Sequence, residues 1–208
     1  ALNRFLQNAD TEEKEIELFT ELAAEIEAAG GNNREHPECV AYYTRAILKQ
    51  MGESDRICNL VSAAAMLHDI GKVAIPAEIT EKSGLLSEQE REFMKKHTQY
   101  GQILLSAFHD DAFMQIAAVI AAEHHEYYDG TGYNGIAGTR INEYARVVTV
   151  ADTLDAFTTK RSYKEAWPFD SAVEYIDANS GTLFDPAVVS AMHRCLDEIR
   201  EKATEKSK

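Results

Sequence analysis

The sequence predicts an all-α protein: one well-cored domain behind a helical extension. Apolar residues recur at three- and four-residue spacing along most of the chain, whereas strand-like alternation is scarce. Two helix starts are written in capping chemistry, Ser87 with Glu90 as a capping box and Asp185 followed by Pro186. With 208 residues, 45% hydrophobic and 27% charged, the chain has a globular composition and length for one domain plus an appendage.

Residues 2–29 read as a helix in which Leu2, Phe5, Ala9, Ile16, Phe19, Ala23 and Ile26 keep three-four spacing, broken at Glu12 and ended by Gly30 and Gly31. That seam has two readings: a coiled coil between two copies, or an amphipathic helix folded onto its own domain. Further helices are expected over 35–50, 55–68, 87–108, 111–127, 142–160, 168–179 and 186–202. Residues 71–86 and 128–140 resist helical assignment and read as loops. The second carries Gly130, Gly132, Gly135 and Gly138, which let backbone turn or approach a ligand closely. The terminal EKATEKSK reads as a solvated tail.

Lysine and arginine number 21 against 35 acidic residues, and the formal charge of −14 argues against a general nucleic-acid surface, which needs a basic stripe. A phosphate ligand would need a locally positive pocket. Cys39, Cys58 and Cys195 are odd in number and outside any CxxC pattern, so neither a disulfide framework nor a zinc knuckle is indicated and a reducing cytoplasm is expected. The longest apolar run, IAAVIAA at 116–122, falls far short of the roughly 20 residues of a membrane helix. No signal-peptide pattern opens the chain, and since it begins at Ala1 rather than Met, further modules are expected upstream.

The chemistry concentrates where core residues are expected. In AAAMLHDIGKVAIP, residues 63–76, an apolar helical run leads straight onto His68, Asp69 and Lys72, and buried unpaired charge is costly. His97 shares an inward face with Phe93, Met94, Gly101, Leu104, Leu105 and Phe108; alone it reads as a satisfied core histidine. His124 and His125 close the apolar AAVIAAEHH and would splay about 100° apart on a helix, which suits two neighbouring ions better than one. Asp152 interrupts VVTVADTLDAF and needs a cation or several donors, while Asp155, one turn later, is expected near the rim. His36 stands near the start of the first domain helix.

Together His36, His68, Asp69, His97, His124, His125 and Asp152 offer imidazole and carboxylate without thiolate. That donor set suits Mn, Fe, Zn or Ni and is large enough for two ions. His68 and Asp69 then read as ligands, and Lys72 as the cation that meets an anionic substrate beside them. His109 and His193 read as surface residues.

These residues fall into motifs. HDIGK at 68–72, MKKH at 94–97, HHEYYDGTGY at 124–133, VAD at 150–152 and FDP at 184–186 stand in the order of the HD-GYP branch of the HD-domain metal-dependent phosphohydrolases, which the chain resembles over roughly residues 32–200. The resemblance implies an HD-domain helical bundle over 32–202, with 1–31 as a linker or dimerisation helix and 203–208 as a disordered tail. It implies two divalent ions, iron or manganese first and zinc, nickel or cobalt as alternatives, held by the seven residues above with Asp69 bridging. It implies hydrolysis of cyclic di-GMP to linear pGpG or GMP in cytoplasmic bacterial signalling, under an upstream sensor or receiver domain. Lys72 and Asp69 would be catalytic, Lys72 on the scissile phosphate, with Tyr133, Asp155, Arg161 and Lys164 against the nucleotide.

Three departures shape that expectation. GYP is GYN at 132–134, RPYK carries Ser162 in place of Pro, and Asn32 stands where trinuclear members carry a Glu one turn before the first histidine. Asn32 cannot supply that carboxylate's charge, so two ions rather than three are expected. Asn134 keeps open a second function, a receptor or interaction module that binds a cyclic dinucleotide without turnover; intact His68, Asp69 and Lys72 speak for hydrolysis. Nucleotide phosphatases and di-iron oxygenases share parts of the ligand set, and HHExxDGxGY speaks against both. Water rather than a side chain is the expected nucleophile, because no Ser or Cys adjoins these histidines.

Overall fold

The computed structural model describes residues 21–26, 28, 34–82, 84–108, 111–160 and 165–205. Helix α1 (His36–Met51) carries Pro37 in its first turn and ends at Gly52, whose φ of 92° lets its N–H close on the Leu48 and Lys49 carbonyls. The Ser54 hydroxyl accepts from Ile57 N–H to start α2 (Asp55–Ala65). That helix stops before His68, not at it. The stretch read as a loop then holds a 3-10 turn (Ile70–Ala74) and the short α3 (Ala77–Thr80).

The expected capping box opens α4 (Glu88–Met94), and the chain bends at Lys95 into α5 (Lys96–Ser106), so one expected helix is two. Asp111 caps α6 (Ala112–Glu123) and Asn142 caps α7 (Glu143–Thr158). They are followed by α8 (Phe169–Ala178), then by α9 (Pro186–Arg194), capped by Asp185, and α10 (Leu196–Glu205). Cys195 divides the helix expected over 186–202. The described residues contain no strand beyond a lone bridge between Ser180 and Phe184.

Helix α1 packs on α2, α2 on α6, α6 on α7 and α7 back on α1, closing a four-helix ring. Tyr43, Ile47, Val61, Ile120 and Leu154 belong to its buried core, and each is wholly removed from solvent. Helix α5 lies on α6 and on the 3-10 turn, α9 and α10 on α1, and α8 on α7. The face of α5 that packs is narrow: His97, Gly101 and Leu105 are buried, but Leu104 and Phe108, expected inward, are 40% and 45% exposed. Close approach explains the glycines. A Cβ on Gly71 would stand 2.0 Å from the His97 carbonyl oxygen, and one on Gly101 3.1 Å from the Ala121 methyl.

One end of the ring collects the chemistry: His36 opens α1, His68 and Asp69 follow α2, and His124 and His125 follow α6. Two helix C-termini converge there, and their partial negative charge favours a cation.

The seam positions Leu2 to Phe19 lie outside the described residues, as do Asn32, His109, Arg161, Lys164 and residues 206–208. Residues 21–26 are helical, and Ala23 and Ile26 pack on the domain's own core, so these two seam positions are satisfied within the chain. Helix α10 runs to Glu205 with Ala203 against the core, so the tail expected from 203 is helical to 205. No described helix is long and apolar enough to cross a membrane.

Candidate metal centre

After α2 the backbone tightens: the N–H groups of Met66, Leu67 and His68 bond carbonyls three residues back, and the chain passes into the 3-10 turn. This aims Asp69 across the end of the ring. Its Oδ2 accepts from Lys72 Nζ at 2.6 Å, and its Oδ1 lies 3.0 Å from His97 Nε2 and 3.7 Å from His124 Nε2. On the other side His68 Nε2 stands 3.3 Å from Asp69 Oδ2 and 3.9 Å from Asp152 Oδ1, which is 3.3 Å from His36 Nε2. The donor atoms of Asp69, His97, His124 and His125 lie within 4.8 Å of one another, as do those of His36, His68 and Asp69. Asp69 belongs to both groups.

Four of the five imidazoles are aimed from behind. His68 Nδ1 donates to the Ala65 carbonyl at 2.9 Å, His97 Nδ1 to Met94 at 2.7 Å, and His124 Nδ1 to Ile120 and Ala121 at 3.1 Å. A carbonyl only accepts, so these bonds place the proton on Nδ1 and leave Nε2 to face the centre. The Thr149 hydroxyl fixes the backbone of His124 by donating to its carbonyl at 2.7 Å. His36 differs: its Nδ1 meets Asp155 Oδ2 at 2.7 Å.

The electrostatics divide along the same line. Burial, together with the neighbouring imidazoles, holds His125 well below the ordinary histidine value, and burial also lowers His124. Both are neutral, lone-pair-bearing groups at pH 7. Burial lowers His36 too, yet the Asp152 and Asp155 carboxylates outweigh it and push it up to about 10. Burial raises Asp69, but Lys72, His68 and His97 outweigh it and hold it well below the usual carboxylate range; Asp152 is lowered chiefly by His36.

Two buried atoms test whether metal ions fit. His68 Nε2 and Asp69 Oδ1 have no hydrogen-bond partner among the described residues; His97 Nε2 approaches Asp69 Oδ1 to 3.0 Å, but with the ring proton on Nδ1 it has none to donate. An orphaned nitrogen beside an orphaned carboxylate oxygen is costly unless a cation joins them. The donor set fits divalent ions.

Two expectations change. His124 and His125 do not splay, because α6 ends at Glu123; their rings lie 4.1 Å apart and both join the His97 group. Asp155 is not at the rim but wholly buried, where its carboxylate meets His36 rather than an open face. Lys72 is partly exposed beside Asp69, and His193 lies at the surface against Asp177.

Glu126, the third residue of HHEYYDGTGY, anchors the glycine loop. It is 2% exposed and accepts from Asn134 N–H at 2.7 Å, Asn134 Nδ2 at 2.9 Å and Ile136 N–H at 2.9 Å. Gly132 passes so close that a Cβ would stand 2.5 Å from Glu126 Cα. This holds the Tyr133 ring 4.7 Å from that of His125. A proline at 134 could donate neither Asn134 bond. Thr149 had one available signal, a polar group inside the apolar run VVTVA; Glu126, between His125 and Tyr127, had none.

An HD-domain family profile matches residues 15–188. The chain belongs to the HD-domain family. Among curated HD-domain relatives, the cyclic di-GMP phosphodiesterase response regulator RpfG of Xanthomonas campestris is 41% identical over 186 residues, 89% of this chain and 49% of its own. A 3'3'-cGAMP-specific phosphodiesterase 2 of Vibrio cholerae is 37% identical, over 91% of this chain and 36% of its own. A cyclic di-GMP phosphodiesterase of Thermotoga maritima is 38% identical, over 80% and 45%. The chain thus spans less than half the length of each of these relatives. The HD fold also matches a cyclic GMP-AMP-specific phosphodiesterase of V. cholerae (TM-score 0.65, 18% identity, 89% of this chain and 49% of that one) and an HDG"Y"P protein of Bdellovibrio bacteriovorus (0.63, 20%, 78% and 51%). At those identities the likeness concerns the fold alone.

Proposed function

We propose that this HD domain hydrolyses a phosphodiester bond of cyclic di-GMP, releasing linear pGpG or GMP, as part of a larger cytoplasmic bacterial signalling protein. The observation that carries the reading is Asp69, shared by two donor groups and paired with Lys72 at 2.6 Å. The curated relatives, named as phosphodiesterases of cyclic di-GMP or 3'3'-cGAMP, support the substrate class.

Two ions are proposed, iron or manganese: one on His97, His124, His125 and Asp69, the other on His36, His68, Asp152 and Asp69. When bound, such ions polarise a phosphoryl oxygen and make water nucleophilic near neutral pH. Lys72 adds a fixed positive charge where negative charge grows on the phosphate. Arg161 and Lys164 grip the nucleotide, and Asp155 acts by holding His36. In the reaction water oxygen bonds to phosphorus, the P–O bond to the ribose 3' oxygen breaks, and that oxygen leaves protonated. The seam positions Leu2 to Phe19 link the domain to an upstream sensor or receiver and pair two copies.

The test is chromatography of products after incubation of cyclic di-GMP with protein loaded with Mn or Fe(II). Product is expected, and its loss on His68→Ala with Asp69→Ala. Tight binding without product under either metal overturns hydrolysis and leaves a receptor.

A further inference from the structure

We propose that a cleft beside the metal centre is the subsite for one purine base of the substrate, and that Gln99 and Gln102 read its edge. The inference rests on the cyclic-dinucleotide reading above.

The cleft has a volume of about 490 Å³ and runs between the α4–α5 bend on one side and the end of α6 with Tyr133 and Asn134 on the other. That lies within the range of about 300–1,000 Å³ usual for ligand sites. Tyr133 belongs to both places: its ring is 4.7 Å from that of His125 and it also walls the cleft. A phosphodiester held at the centre therefore has its nucleoside within a ring's width of the cleft.

The lining offers a base both a polar edge and an aromatic wall. Lys95, Gln99 and Gln102 follow one another at four and three residues and share one helical face. The Lys95 charge is matched by Glu92 Oε1 at 2.5 Å, and its Nζ lies 5.5 Å from the Tyr133 ring centre. The Asn134 amide is turned to Glu126. Lys96, whose Nζ lies 5.0 Å from the Phe93 ring centre, and Glu123, which accepts from Asn142 N–H, also line the cleft; its neutral groups are Gln99 and Gln102, whose exposed side chains no described residue hydrogen-bonds. A carboxamide sets a donor beside an acceptor, which complements a purine edge, and an aromatic wall offers the base a stacking partner.

Gln99→Ala with Gln102→Ala, both at exposed helix positions, tests the subsite. The readout is the ratio of kcat/KM for cyclic di-GMP to that for bis(4-nitrophenyl) phosphate, a phosphodiester without a base, on metal-loaded protein. The ratio is expected to fall about tenfold, carried by a raised KM for the cyclic dinucleotide. An unchanged ratio overturns the subsite and leaves the proposed function standing. An unsubstituted protein that cleaves the nitrophenyl ester but no cyclic dinucleotide overturns the proposed function itself, and the subsite with it.

Discussion

Lys72 and His36 test the proposed division of roles at the centre, the first beside the donor groups and the second within one. Lys72 Nζ touches Asp69 but completes neither donor group, so Lys72→Ala is expected to lower kcat about 10²–10³-fold, as loss of one transition-state donor does, with metal content by elemental analysis unchanged. His36 is governed by Asp155. Asp155→Asn removes the charge behind the imidazole and is expected to weaken the proposed metal site of His36 about 10–100-fold, read by chelator competition; equal loss at both proposed sites contradicts the assignment. Raised from 6.5 to about 10, His36 is protonated in the metal-free protein at neutral pH, so an ion must displace that proton and its affinity rises with pH until about 10. In the metal-free state the stabilisation from His36 is complete below pH 6.5 and is lost as pH rises through about 10. Metal titrations at several pH values check this, and a flat affinity counts against it.

At the level of elements, the 3-10 turn and the glycine loop do what no helix could. Gly71 lets the turn lie on α5, bringing Asp69 to His97. Gly71→Ala is therefore expected to cost about 1–3 kcal/mol in denaturant unfolding, the usual range for overpacking, and to lose the ion of the His97 group. The glycine loop instead hangs on Glu126. Asn134→Ala removes one donor to that carboxyl and Asn134→Pro removes both, so stability should fall in that order, by about 1–3 kcal/mol for each lost bond to a buried group. A proline variant as stable as the unsubstituted protein would show that the loop does not need these bonds. Residues 71–86 read as a loop because a 3-10 turn has no long apolar period; its signal is a glycine whose neighbours are known only once the chain is folded.

For the whole molecule, binding at the end of a closed ring couples metal to folding. The orphaned His68 and Asp69 atoms lose their partner when ions leave, so chelation should lower the melting temperature; ions present at 100 times their Kd contribute about 2.7 kcal/mol per site. An unshifted melt would mean that the centre is satisfied without metal. Deletion of residues 1–20 tests the seam and keeps Ala23 and Ile26, which pack on the core. The full chain is expected to sediment as a dimer at tens of micromolar and the deleted chain as a monomer with its metals.

The sequence by itself determined the all-α class, the capping of α4 and α9, and the donor types at His36, His68, Asp69, His97, His124, His125 and Asp152. Periodicity and caps are local, and a charged group in an apolar run announces itself whatever surrounds it. Only the tertiary structure decided that Asp69 is the residue shared by two groups, that Asp155 is buried behind His36, and that Glu126 anchors the loop bearing Tyr133. Those assignments depend on contacts between residues as far apart in sequence as His36 and Asp155, 119 positions, and no local pattern encodes which face of α7 meets the start of α1.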